Sequence, residues 1–376
     1  KMRSIFRTFA ITAASMLAIT GFAHANDAQS ETDSLLPTMD EVGSSLAAMM
    51  GDTSVNGWAA GSYNYNFEGF KNSAGTTNNA NPSHTTSNSF QVDQAQISLN
   101  NEATEDSRGG FNIDYEWGAV NGAGAGGALY TASVSYLAPI GTGINFDVGL
   151  MPTLIGAEVN QTNQNFNVTR GQVWALQPVT HTGAIASMQL TDDISASFGV
   201  LNDGSGPLGV GGGVGDTNNE KAITGQLGWT GEDVNASFQF VWGETAFANV
   251  EQGTYDIIIN YSGMENVAMY ANYTLISFDG SGTDGEVHGI SVAARMAVNE
   301  DCGIAVRGEA VITDLPGGDV ETYSFTATGD HKLTENLTAK AEVRLDFSGD
   351  DIYPDDKGAA SEDVAALVLA QLVYEF

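Results

Sequence analysis

Residues 364 to 376 read Val364-Ala-Ala-Leu-Val-Leu-Ala-Gln-Leu-Val-Tyr-Glu-Phe376. This strand-length run closes on an aromatic residue and places Ala370, Leu372 and Tyr374 on one strand face. It reads as the closing strand of a transmembrane β-barrel in a bacterial outer membrane. It is roughly half as long as the stretch of 18 or more apolar residues that a spanning helix needs. A chain of this kind crosses lipid as strands, and its function is expected in the space they enclose.

At the other end, Arg3 and Arg7 precede an apolar core from Phe9 to Phe22, and Ala23-His24-Ala25 supplies a small-x-small cleavage site. Residues 1–25 therefore read as a secretory signal peptide. Residues 26–53 are expected as a periplasmic segment. Within it Leu35, Leu36, Met39, Val42, Leu46 and Met50 fall at roughly helical spacing, as either a short amphipathic helix or a linker. The barrel is expected over 54–376 as one domain, since barrels run long as single units.

Composition agrees with an all-β chain: 45 glycines and 8 prolines, with few lysines and abundant Asn, Thr, Ser and Tyr, suit strands and turns. The net charge of −33, about −36 without the three basic residues of the leader, excludes nucleic acid as a partner. Cys302, the one cysteine, cannot form an internal disulfide and falls in an expected turn. His84, His181, His288 and His331 are too far apart for metal-ligand spacing. The acidic stretch Asp346, Asp350, Asp351, Asp355 and Asp356 lacks the ordered spacing of a calcium loop. The glycine-rich 204–215 stretch carries no Lys-Ser/Thr of a phosphate loop, and no Gly-x-Ser-x-Gly nucleophile motif occurs. Neither metal, cofactor nor catalysis is expected.

Periodicity gives the architecture. A barrel in lipid alternates apolar-out and polar-in over segments of about ten residues. Phe111, Ile113, Tyr115 and Trp117 alternate with Asn112, Asp114 and Glu116, and Ile144, Phe146, Val148 and Leu150 alternate with Asn145, Asp147 and Gly149. Leu337, Ala339, Ala341, Val343, Leu345 and Phe347 alternate with Lys340, Glu342, Arg344 and Asp346. The same reading places strands at 55–67, 89–99, 110–118, 129–138, 144–151, 180–190, 194–202, 221–230, 234–243, 254–262, 267–278, 287–298, 303–313, 321–330, 337–347 and 363–376. That makes about sixteen antiparallel strands in an up-and-down barrel, short turns on one side and longer loops on the other. Aromatics such as Tyr63, Tyr115, Trp117, Tyr130, Trp229 and Trp242 fall near strand ends, as interfacial girdles require.

The chain resembles the OmpL-like β-barrel porins of bacterial outer membranes. The resemblance rests on Val134-Ser-Tyr-Leu-Ala-Pro-Ile-Gly-Thr-Gly143, Ile155-Gly-Ala-Glu158, Thr180-His-Thr-Gly183, Thr191-Asp-Asp-Ile-Ser-Ala-Ser-Phe-Gly-Val-Leu-Asn202, Val306-Arg-Gly-Glu309 and Glu342-Val-Arg-Leu-Asp346. These motifs follow in order over most of the chain. The resemblance implies a porin-like role and carries no catalytic residues.

The long connection from Pro152 to Val179 is rich in amides and holds Glu158, Asn163, Asn165, Asn167 and Arg170. Loops of this length are commonly functional. It is read either as a constriction loop folded into the lumen or as an exterior surface loop. Four of the ten basic residues outside the leader, Arg295, Arg307, Lys340 and Arg344, fall on inward positions of late strands. Glu309, Glu342 and Asp346 share those faces, and Asp114 and Glu116 face inward elsewhere. These residues are expected to line the pore, either as a basic stripe setting up a transverse field or as wall ion pairs. The expected function is passive diffusion of small hydrophilic solutes and ions with weak cation preference. Outer-membrane lipid and a homotrimer are the expected partners. The rival reading is a structural or adhesive barrel with a blocked lumen.

Overall fold

The computed structural model describes residues 51–67, 88–119, 124–202, 219–245, 250–280, 284–354 and 360–376. The leader, the helical spacing at 34–50, His84, the 204–215 stretch, Asp355 and Asp356 lie outside them. The strands are β1 (Ser54–Asn66), β2 (Ser89–Asn101), β3 (Gly109–Gly118), β4 (Gly124–Ala138), β5 (Ile144–Pro152), β6 (Thr180–Gln189), β7 (Ile194–Leu201) and β8 (Ala222–Thr230). They continue as β9 (Val234–Glu244), β10 (Glu251–Met264), β11 (Val267–Asp279), β12 (Gly285–Ala297), β13 (Cys302–Leu315), β14 (Gly318–Lys332) and β15 (Leu337–Ser348). A separate two-stranded hairpin of β16 (Tyr353–Pro354) and β17 (Ala360–Glu362) precedes β18 (Val364–Glu375). Among the described residues sixteen strands form one closed barrel in sequence order, β18 lying between β15 and β1. Every strand expected from periodicity is present. Closure leaves no sheet edge unpaired, as lipid requires.

The carboxy-terminal run makes the seam. Its register places Trp58 opposite Glu375 and Asn66 opposite Leu367. Phe376 N–H donates to Gly57 O at 2.9 Å, and Gly57 N–H donates back to Phe376 O at 3.2 Å. A Cβ on residue 57 would lie 2.7 Å from Cζ of Phe376 and 2.5 Å from Gln96 O. Glycine is what lets the terminal ring pack there.

Alternation holds around the wall. On β13, Ile304, Val306 and Ile312 point outward, and Ala305, Arg307 and Glu309 point inward and are buried. Two features depart from the expectation. Where a longer connection was expected between 313 and 321, β13 and β14 run on until Leu315 faces Gly318, leaving a tight turn. Tyr130, assigned above to the aromatic girdle, is instead buried beside inward-facing Thr131. The β3–β4 register slips from the pair Asp114 and Thr131 to the pair Tyr115 and Leu129, so Tyr130 is the extra residue of a bulge.

Candidate functional site

The connection between β5 and β6 folds inward. Its neck closes through Thr153 N–H to Val179 O at 3.1 Å, and two short 3-10 turns, Thr162–Gln164 and Trp174–Leu176, are its regular structure. Irregular backbone buried against a barrel's inner wall must find partners for its own N–H and C=O groups wherever it is shut off from water. Here the wall supplies them.

Carboxylates and amides of the wall accept from the loop backbone. Gly156 N–H donates to Asp256 at 3.3 Å, Ala157 N–H to Asn272 at 3.3 Å, and Thr162 N–H to Gln94 at 3.1 Å. Glu342 accepts from Val168 N–H at 2.6 Å, Thr169 N–H at 3.0 Å and the Thr169 hydroxyl at 2.6 Å. Glu309 accepts from Gln172 N–H at 3.1 Å and Val173 N–H at 3.2 Å. Glu116 accepts from Asn160 Nδ2 at 2.8 Å, and Asn167 Nδ2 donates to Thr328 at 2.7 Å.

Basic side chains satisfy the carbonyls. Lys340 donates to Asn165 O at 2.9 Å, Arg307 to Thr169 O at 2.8 Å, and Arg344 to Arg170 O at 2.7 Å. Arg170 turns back on its own loop, donating to Val159 O at 3.1 Å, Val168 O at 3.0 Å and the Thr162 hydroxyl at 2.9 Å, and also to Asn160 O. Burial lowers its guanidinium to about 10 while Glu158 opposes the shift, so it stays charged at neutral pH. Glu158 accepts from Arg307 at 2.5 Å and from Gly171 N–H at 2.6 Å. Arg307 also pairs with Glu309 at 3.1 Å, and Arg344 with Asp346 at 3.0 Å. A Cβ on residue 171 would run into the Glu309 and Glu158 carboxylates, so the crowded crossing takes a glycine.

Apolar contacts fix the loop a second way. Ile155 packs with Met151, Ile185, Leu201, Ala222 and Val241. Val173 packs with Ile276, Val287 and Val311, with Leu176 beside them, and Val168 packs with Leu367 and Leu369.

Glu116, Glu158, Asn165, Asn167, Arg170, Arg307, Glu309, Lys340, Glu342, Arg344 and Asp346 thus meet in one network through the loop. The structure departs from an open lining of water-facing charges. The Arg307 and Arg344 side chains are 0% and 1% exposed, because the loop covers them. Asp114 sits apart, accepting from Asn112 at 2.8 Å and from Thr131. Arg295 pairs with Asp330 at 2.6 Å away from the main cluster, and Asn163 lines a side cavity. The sequence reading missed Gln94, Asp256, Asn272 and Thr328 as anchors. Their signal was an inward polar position in mid-strand, such as Asp256 between Ile258 and Thr254, which alternation alone does not separate from ordinary lining.

The family model described as "Putative beta-barrel porin-2, OmpL-like" matches residues 52–376. No curated protein matches the chain in sequence. Among solved structures it is similar to the trimer form of OmpT of Vibrio cholerae, with TM-score 0.61 and 12% identity over 86% of this chain and 99% of that one. It is also similar to an anion-selective porin from Comamonas acidovorans, with TM-score 0.60 and 12% identity over 86% and 99% of the two chains. OmpF of Salmonella typhi in complex with daunomycin gives TM-score 0.58 and 11% identity over 87% and 99%. At such identities the likeness establishes the fold.

Proposed function

The chain belongs to the OmpL-like β-barrel porin family of the bacterial outer membrane, and from that premise we propose that it is a narrow passive diffusion channel for small hydrophilic solutes and ions, weakly preferring cations. The observation that carries this reading is the inward loop, whose backbone is bonded to side chains of β2, β10, β11, β13 and β15. A loop held on so many sides narrows whatever path remains. Preference for cations is supported by the exposed carboxylates near the strand ends and by Arg307 and Arg344 being sealed beneath the loop, and it is softened by Arg295 and Lys340, which stay partly exposed on inward positions. A homotrimer is part of the proposal, by analogy with the trimer form of OmpT.

The breadth of the same contacts favours a second reading, a barrel whose loop blocks the lumen and whose role is structural or adhesive. Conductance of the refolded protein in a planar bilayer separates the two. Steady small-conductance current with a reversal potential on the cation side under a KCl gradient is expected. A folded barrel that carries no current would select the blocked reading.

A further inference from the structure

On the turn side of the loop lies a cavity of about 260 Å³, between the loop tip and strands β12, β14, β15 and β18. Two of the scarce cations reach it, Arg295 and Lys340, together with Asn163, Asn165, Phe166 and Asp330. Exposed Glu375 also lines it.

The donor count is unbalanced. Arg295 gives Nε and Nη2 to Asp330 at 3.0 and 2.6 Å, which leaves further N–H groups of its five donors. Lys340 gives one hydrogen bond, to Asn165 O, and has no ion pair among the described residues. Two ammonium protons remain for a ligand. Phe166, stacked on Tyr270 at 6.0 Å, adds an apolar wall.

We propose that this cavity is a solute subsite for a small carboxylate, such as a hydroxy acid. Lys340 and Arg295 receive the carboxylate. At about 30 Å³ per water-sized group the space takes about nine non-hydrogen atoms, which suits a three- or four-carbon acid. The assignment deepens the channel reading and rests on it for its role in permeation.

The test is binding to the full-length, detergent-folded chain by ligand-observed NMR, with glycerate as the probe. Glycerol, which lacks the carboxylate, is the control. Glycerate is expected to bind in the millimolar range, ahead of glycerol. Lys340→Gln and Arg295→Gln should each weaken glycerate about tenfold. Heat-modifiable gel mobility verifies that each variant is folded, and either variant alone suffices if the other is not. Glycerol binding as well as glycerate, or titrations unchanged in the variants, would overturn the site. Bilayer current is read separately: binding without current rejects the channel and keeps the site, and current without binding does the reverse.

Discussion

Arg307 shows how single residues hold this loop. Its side chain is fully covered, with Glu158 at 2.5 Å on one side and Glu309 at 3.1 Å on the other, themselves 6% and 0% exposed. Each partner in turn accepts a backbone N–H of the loop. Removing one member of a buried charge cluster strands the others without water, at a cost of about 3–5 kcal/mol. Arg307→Met should therefore lower unfolding stability by about that amount and raise single-channel conductance, both measured on the refolded protein. Adding Glu158→Gln to it should recover part of the stability, because one stranded carboxylate is then neutral. Stability within about 0.5 kcal/mol of the parent would mean that the pairs are incidental to the loop's position.

The loop as an element is anchored by a different kind of evidence, three apolar contacts and a ring of backbone hydrogen bonds. That arrangement describes a fixed constriction rather than a moving lid. Cysteines in place of Asn167 and Thr328, whose side chains bond at 2.7 Å, should join on oxidation in the folded protein. Conductance should then stay as it was before oxidation, whereas a large fall would show that current flows while the loop is displaced. Strands were legible because lipid imposes one face of every strand. The anchoring of the loop was less so, since it depends on inward apolar residues that break the polar-in rule: Ile185, Leu201, Val241, Ile276, Val287, Val311, Leu367 and Leu369. The hint stood in the opening stretch, where Leu367 and Leu369 leave the closing strand apolar on both faces and Val168 comes to cover them.

Across the whole molecule, the net charge of −33 was plain in the sequence, but its distribution was not. The interior carboxylates Glu158, Glu309, Glu342 and Asp346 are bonded to cations or to loop amides. Among the described residues, carboxylates crowd the mouths: Glu251, Asp279, Asp284, Glu286, Asp314, Asp319 and Glu321 are exposed on the loop side, and Glu102, Glu105, Asp106, Asp192, Asp193, Glu232 and Asp233 on the turn side. Alternation counts residues on a face and cannot say which of them the loop will neutralise. A preference set at the mouths acts at a distance, by concentrating cations before they enter. It must then weaken as salt shortens the Debye length from about 10 Å at 0.1 M to about 3 Å at 1 M. The K⁺ to Cl⁻ permeability ratio from reversal potentials should exceed one in dilute KCl and approach one near 1 M. A ratio that holds at 1 M would place selectivity at the loop, among charges too close to a passing ion for salt to screen.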